Sequence, residues 1–135
     1  MWRSILGVVA GLVSWGILVV VGNFAIRAGW PAYAAAEPSM TFDIPMMIAR
    51  LSLSSISLVA ATWIAQRVAR PSRHAATGFG VVMLLAFIPI HIQLWPKFPI
   101  WYHLYFLTSL LVLPLLTAMI SGRATPSIGS GATVH

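Results

Sequence analysis

The chain has 135 residues, of which 59% are hydrophobic and 7% charged, with no cysteine and a net charge of +6. A soluble domain is about a quarter charged, so most of this surface faces lipid or other apolar protein, and little of the chain remains for a separate soluble domain. Having no cysteine excludes disulfides, thiolate metal sites and thiol redox chemistry. The basic residues flank apolar stretches, where they orient a membrane chain and meet anionic headgroups, which argues against nucleic-acid binding.

Four apolar stretches, 4–26, 44–66, 75–96 and 98–122, are each long enough to cross a hydrocarbon core of about 30 Å, which takes roughly 20 helical residues. Only Arg50, His91 and His103 can carry charge inside them. The first stretch follows Met1-Trp2-Arg3 and closes at Arg27 and Gly29-Trp30-Pro31. It imitates a secretory signal, with Ala32-Tyr33-Ala34-Ala35-Ala36 as a small-residue cleavage site. Signal cores run about 7–15 residues, however, and these alanines lie well past the end of a longer apolar run, so the expectation is an uncleaved first span. Gly7-Val8-Val9-Ala10-Gly11 is a GxxxG, with Ser14 and Gly22 further along. Small residues let helix backbones approach closely in lipid. The stripe serves either packing within one bundle or a seam with a second copy or another membrane protein.

The second span opens at Ile44-Pro45, proline being suited to a first helical turn, and ends at Gln66-Arg67. It has its own small stripe of Ala49, Ser57, Ala61 and Ala65. Arg50 lies about two turns inside it, where a charge is expensive. Helical side chains tilt toward the helix N-terminus, so Arg50 is expected to snorkel toward Asp43 or Glu37. The alternative is contact with an anion or substrate in a cavity. The third span begins after His74 and ends near Trp95-Pro96. The fourth runs from around Tyr102 to Ser121-Gly122-Arg123. Pro89 and Pro114 lie inside these spans and leave carbonyls that neighbouring groups must accommodate. Residues 1–122 form the membrane domain, and 123–135 read as a flexible tail.

Arg3, Arg67, Arg70, Arg73 and Arg123 fall on one side of the membrane, against Arg27 and Lys97 on the other, with Arg50 nearer the latter. The positive-inside rule then puts both termini in the cytoplasm. Trp2 and Trp63 belong to the cytoplasmic interface. Trp30, Tyr33, Trp95, Trp101, Tyr102 and Tyr105 crowd the outer one, where the loops 27–43 and 96–101 are expected to fold over the bundle.

His91 and His103 flank the short third loop at similar depth. With Arg50, Trp95 and Trp101 they form the candidate outer cluster. Imidazoles here suit a haem or chlorophyll-type pigment, or proton movement; the plainer reading is hydrogen-bonded interfacial histidines. Two histidines without a carboxylate make a poor metal signature, and no metal site is assigned. No span contains Asp or Glu, which separates the chain from small multidrug-resistance transporters. Those share its size and span count but depend on a first-span glutamate, for which Val13, Ser14 and Trp15 offer no substitute. A Gly-rich phosphate loop, a zincin motif and an intramembrane Ser/His/carboxylate set are all missing, so a non-enzymatic protein is expected.

Phe98-Pro99-Ile100-Trp101-Tyr102-His103-Leu104-Tyr105-Phe106-Leu107 resembles a segment of small, uncharacterised four-span bacterial membrane proteins, in which Pro-x-Trp-Tyr-His-Leu-x-Phe-Leu opens the last span. The start, Met1 to Gly11, is similar in style. The resemblance implies a four-helix bundle in a bacterial inner membrane and implies no activity. The combined expectation is an all-α bundle of four transmembrane helices in a lipid bilayer, serving as an accessory or structural subunit that packs against other membrane proteins, in a homo-oligomer or a membrane-protein complex. The alternatives are a small-solute or lipid transporter with an outward vestibule, and a haem- or pigment-binding subunit.

Overall fold

The computed structural model describes residues 1–70 and 73–123, which form five helices and no strand. These are α1 (Trp2–Gly29), α2 (Pro31–Ala36), α3 (Ile44–Ala69), α4 (Arg73–Leu94) and α5 (Ile100–Arg123). All but α2 are long and apolar enough to cross a membrane. The protein is therefore a multi-pass membrane protein with an all-α fold. Beyond Arg123, the expected tail lies outside the described residues. With four antiparallel spans, the start of α1, the end of α3, the start of α4 and the end of α5 lie at one end of the bundle, here the terminal end. The segment holding α2 and the α4–α5 connection lie at the other, the loop end.

Local chemistry sets the helix limits. Trp30 leaves helical geometry (φ −136°, ψ 87°) and Pro31 starts α2, where its missing N–H costs nothing. Asp43 caps α3 by accepting a hydrogen bond from the Met46 backbone N–H at 2.9 Å, with Pro45 in the first turn. α3 stops at Arg70, whose φ of 62° cannot continue a helix. Arg73 and His74, expected before the third span, belong to the first turn of α4. The loop expected over 27–43 instead contains α2, and it does fold back: Tyr33 is fully buried.

Around the bundle the order is α1, α3, α5, α4, with α3 and α4 also meeting across the centre. The α1 GxxxG is used inside the chain. A Cβ added at Gly7 would lie 2.6 Å from the Ala65 carbonyl oxygen and 2.7 Å from the Ala69 Cβ. One added at Gly11 would sit 3.1 Å from the Phe79 ring and 3.2 Å from the Ala65 Cβ. The small stripes of α1 and α3 thus meet each other, and α4 closes over them through Phe79. Lipid gives helices no hydrophobic reason to associate, so this close dispersion contact is a principal source of cohesion.

Pro114 explains a second close approach. It has no N–H to offer the Leu110 carbonyl four residues earlier. Gly80 of α4 lies where that oxygen emerges: an added Cβ would stand 2.6 Å from it. Glycine lets the α4 backbone reach the freed carbonyl, and Pro114 itself is fully buried at this crossing.

Candidate functional site

A cavity of about 350 Å³ lies in the loop-end half of the bundle. Its walls come from α1 (Trp15, Val20, Asn23, Phe24), α3 (Arg50, Ser54), α4 (Phe87) and α5 (Tyr102, Phe106), with Tyr33 of α2 contributing. Val20 and Phe24 also belong to the exposed face of α1, so this wall of the cavity adjoins the lipid side of the protein.

Arg50 is the charged centre. Six residues into α3, it lies about 9 Å below the helix start at a rise of 1.5 Å per residue. Its Nη1 donates to the Tyr33 hydroxyl at 2.9 Å, and its guanidinium carbon lies 4.7 Å from the Phe42 ring centre. The Tyr33 hydroxyl donates to Asn23 Oδ1 at 2.8 Å, and Asn23 Nδ2 donates to Glu37 Oε1 at 2.8 Å. Arg27 Nε stands 3.1 Å from Glu37 Oε2 in an ion pair. Every donor in this chain has one direction. Arg50 faces a lone pair of Tyr33, and Glu37 is reached only through Tyr33 and Asn23. Burial, partly offset by the Arg50 charge, raises the Tyr33 phenol above its ordinary pKa, which keeps it a neutral donor at physiological pH.

The side chain does snorkel toward the loop end, but neither expected carboxylate is its direct partner. Asp43 is occupied as the cap of α3, and Glu37 pairs with Arg27. The charged groups lining the cavity are Arg27, Arg50 and Glu37, a balance of one positive charge.

Apart from Glu37 Oε2, which Arg27 holds in the ion pair, three buried polar atoms of cavity-lining residues make no hydrogen bond: Trp15 Nε1, Arg50 Nε and Ser54 Oγ. Two are obligate donors and the third can donate. Buried polar groups are nearly always satisfied, so each such atom calls for an explanation. All three belong to residues in the walls of this cavity.

The histidines do converge, next to this cavity and not in its lining. His91 Nδ1 and His103 Nδ1 are 2.7 Å apart, and both residues are buried. One proton must lie between those nitrogens, because two N–H groups would face each other. His103 Nε2 is buried with no partner. Trp95 stacks on His103 (4.7 Å, 16°), while His91 packs against Phe106 at 4.6 Å and Tyr102 at 6.3 Å. Tyr102 and Phe106 thus form a partition, lining the cavity and also contacting His91. Trp101 is 43% exposed and touches Tyr102 edge-on. The expected outer cluster is therefore two sites: Arg50 in a polar cavity, and a histidine pair in an aromatic cage.

Asn23, Trp15 and Ser54 escape sequence reasoning. Asn23 carried a signal, being an amide inside an otherwise apolar stretch. Trp15 and Ser54 carried none, since only the helix rotations decide what they face. Among the described residues no group of three or more histidine, aspartate or glutamate side chains is placed to hold a metal ion. No known protein family, curated protein or solved structure matches the chain.

Proposed function

We propose that this multi-pass membrane protein is a non-enzymatic binder of a monoanionic amphiphile, whose carboxylate- or phosphate-type group enters the Arg50 cavity from the lipid side. The supporting observation is the set of unpartnered donors, Trp15 Nε1, Arg50 Nε and Ser54 Oγ, around a cavity with one net positive charge. An oxyanion presents several lone pairs and would satisfy them together. The volume lies within the usual range for small-ligand sites. The exposed apolar residues Val20 and Phe24 at the cavity wall suit the ligand's tail.

This reading belongs to the solute or lipid transport class more than to the accessory-subunit class. The small-residue stripes that would favour a partner protein are occupied internally by α1, α3 and Phe79. A haem or pigment on His91 and His103 draws less support, since their Nδ1 atoms meet each other and His103 is wholly buried. The excess of arginine at the terminal end supports an orientation with both termini in the cytoplasm and the cavity in the outer half of the bilayer.

The test is a thermal-stability titration of the purified protein in nonionic micelles with dodecanoate, dodecyl phosphate and dodecanol. The two anions are expected to protect the wild type in a saturable way, as a ligand specific to the folded state must. Dodecanol is not, and Arg50→Gln should abolish the protection. Equal protection by dodecanol would overturn the assignment.

A further inference from the structure

A second concavity lies at the opposite end of the molecule, and its chemistry differs. It is a groove of about 1100 Å³ between α3 and α5, running from Ser55 and Ile56 near mid-span to Arg67 and Arg70 at the terminal end. Its floor is apolar, including Val59, Ala60, Leu113 and Ile120. Its terminal-end rim is cationic: Arg67 lies over the Trp63 ring at 4.3 Å, and both Arg67 and Arg70 are exposed. Between floor and rim stands Gln66, 4% exposed, with its Oε1 lacking any partner.

We propose that this groove holds one phospholipid, an acyl chain lying along α3 and α5 and its phosphate resting on Arg67 and Arg70. The length supports this. From Ser55 to Arg70 the helix rises about 22 Å, at 1.5 Å per residue, and a lipid chain must lie within one half of a core of about 30 Å with its headgroup beyond. The order along the groove is that of a lipid: apolar wall, then a tryptophan at headgroup depth, then paired guanidinium groups that match phosphate in geometry and charge. Gln66 Oε1 refines the choice. As an acceptor it matches a headgroup that brings its own donor, such as the hydroxyls of phosphatidylglycerol, over one without a donor, such as phosphatidylcholine. The site shares no lining residue with the Arg50 cavity, so the two proposals stand or fall separately.

The full chain is placed in nanodiscs of equal parts phosphatidylglycerol and phosphatidylcholine with matched acyl chains, extracted in mild detergent, and weighed by native mass spectrometry with its retained lipid. The expected result is a single retained lipid, enriched in phosphatidylglycerol on the order of tenfold from two basic contacts near the surface. Arg67→Gln with Arg70→Gln should erase the enrichment. Arg3→Gln with Arg73→Gln, at the same end but outside the groove, should not. Ala60→Leu, which fills the floor while keeping both arginines, should reduce retention of either lipid. The proposal is overturned by retained lipid that merely mirrors the disc, or by enrichment that survives the Arg67 and Arg70 changes. It is also overturned if Ala60→Cys, the single cysteine in that variant, forms a disulfide between chains in high yield, because the groove would then be covered by a second copy.

Discussion

Arg50 Nη1 and the Tyr33 hydroxyl lie 2.9 Å apart, and this contact joins a charge inside a membrane span to a short helix that the chain folds back over it. Tyr33 serves both neighbours, accepting from Arg50 and donating to Asn23. Tyr33→Phe should therefore remove two hydrogen bonds from buried groups and lower stability by about 1–3 kcal/mol. Equilibrium unfolding in mixed micelles would measure it, and a change within error of zero would show that α2 is not held by this contact.

The same phenol predicts a pH dependence. Its folded pKa is raised above 10.0, chiefly by burial. The folded state then keeps a proton that the unfolded state releases near pH 10, so the Tyr33 contribution is complete below that pH and is lost as pH rises through the folded value. Stability of the wild type should fall above about pH 10, and the fall should be shallower in Tyr33→Phe. Parallel curves for the two proteins would contradict the assignment.

The close approaches of α1 and α4 make a sharper comparison. Gly7→Ala and Gly80→Ala each push a methyl to 2.6 Å from a backbone oxygen, which cannot yield as a side-chain tip can. Each should cost about 1–3 kcal/mol by overpacking. Gly16, with nothing within 4 Å of an added Cβ, is the control, and its alanine variant should lose no stability and gain up to about 1 kcal/mol from helix propensity. Gly22→Ala should be cheaper than Gly7→Ala, because it meets only the Leu53 side chain.

The number and approximate limits of the spans were legible because a hydrocarbon core leaves a simple record: a long run without charge, ended by Arg, Gly-Trp-Pro or Trp-Pro. The position of Arg50 along its helix and the shared height of His91 and His103 were legible for a related reason, since short loops and a fixed rise per residue determine height along the bundle, whereas their direct contact was not. Rotation was not. Whether Arg50 faces Asp43, Tyr33 or lipid depends on how α1 and α3 mesh through Gly7, Gly11, Ala65 and Ala69, and periodicity is weak in helices that are apolar all round. For that reason one expected cluster became two sites, and Trp15 and Ser54 emerged only with the packing.

His91 and His103 share one hydrogen bond in a buried setting, so their replacements should not be additive. With each changed singly and together to Phe, the double variant should lose less stability than the sum of the singles, by a coupling within about 0.5–3 kcal/mol. Additivity would mean that each histidine is held by its aromatic neighbours alone.

The central claim is that the unpartnered donors around Arg50 form an anion site, and nitrogen–proton NMR of those donors tests it most directly. In nonionic micelles, dodecanoate should shift the Trp15 indole and Arg50 Nε–H signals together, with one saturation curve, while the indole of Trp2, which lines neither the cavity nor the groove, stays in place. Arg50→Gln should abolish the Trp15 shift. If Trp15 and Arg50 fail to saturate together, or if uncharged dodecanol moves them equally, the cavity is not an anion site.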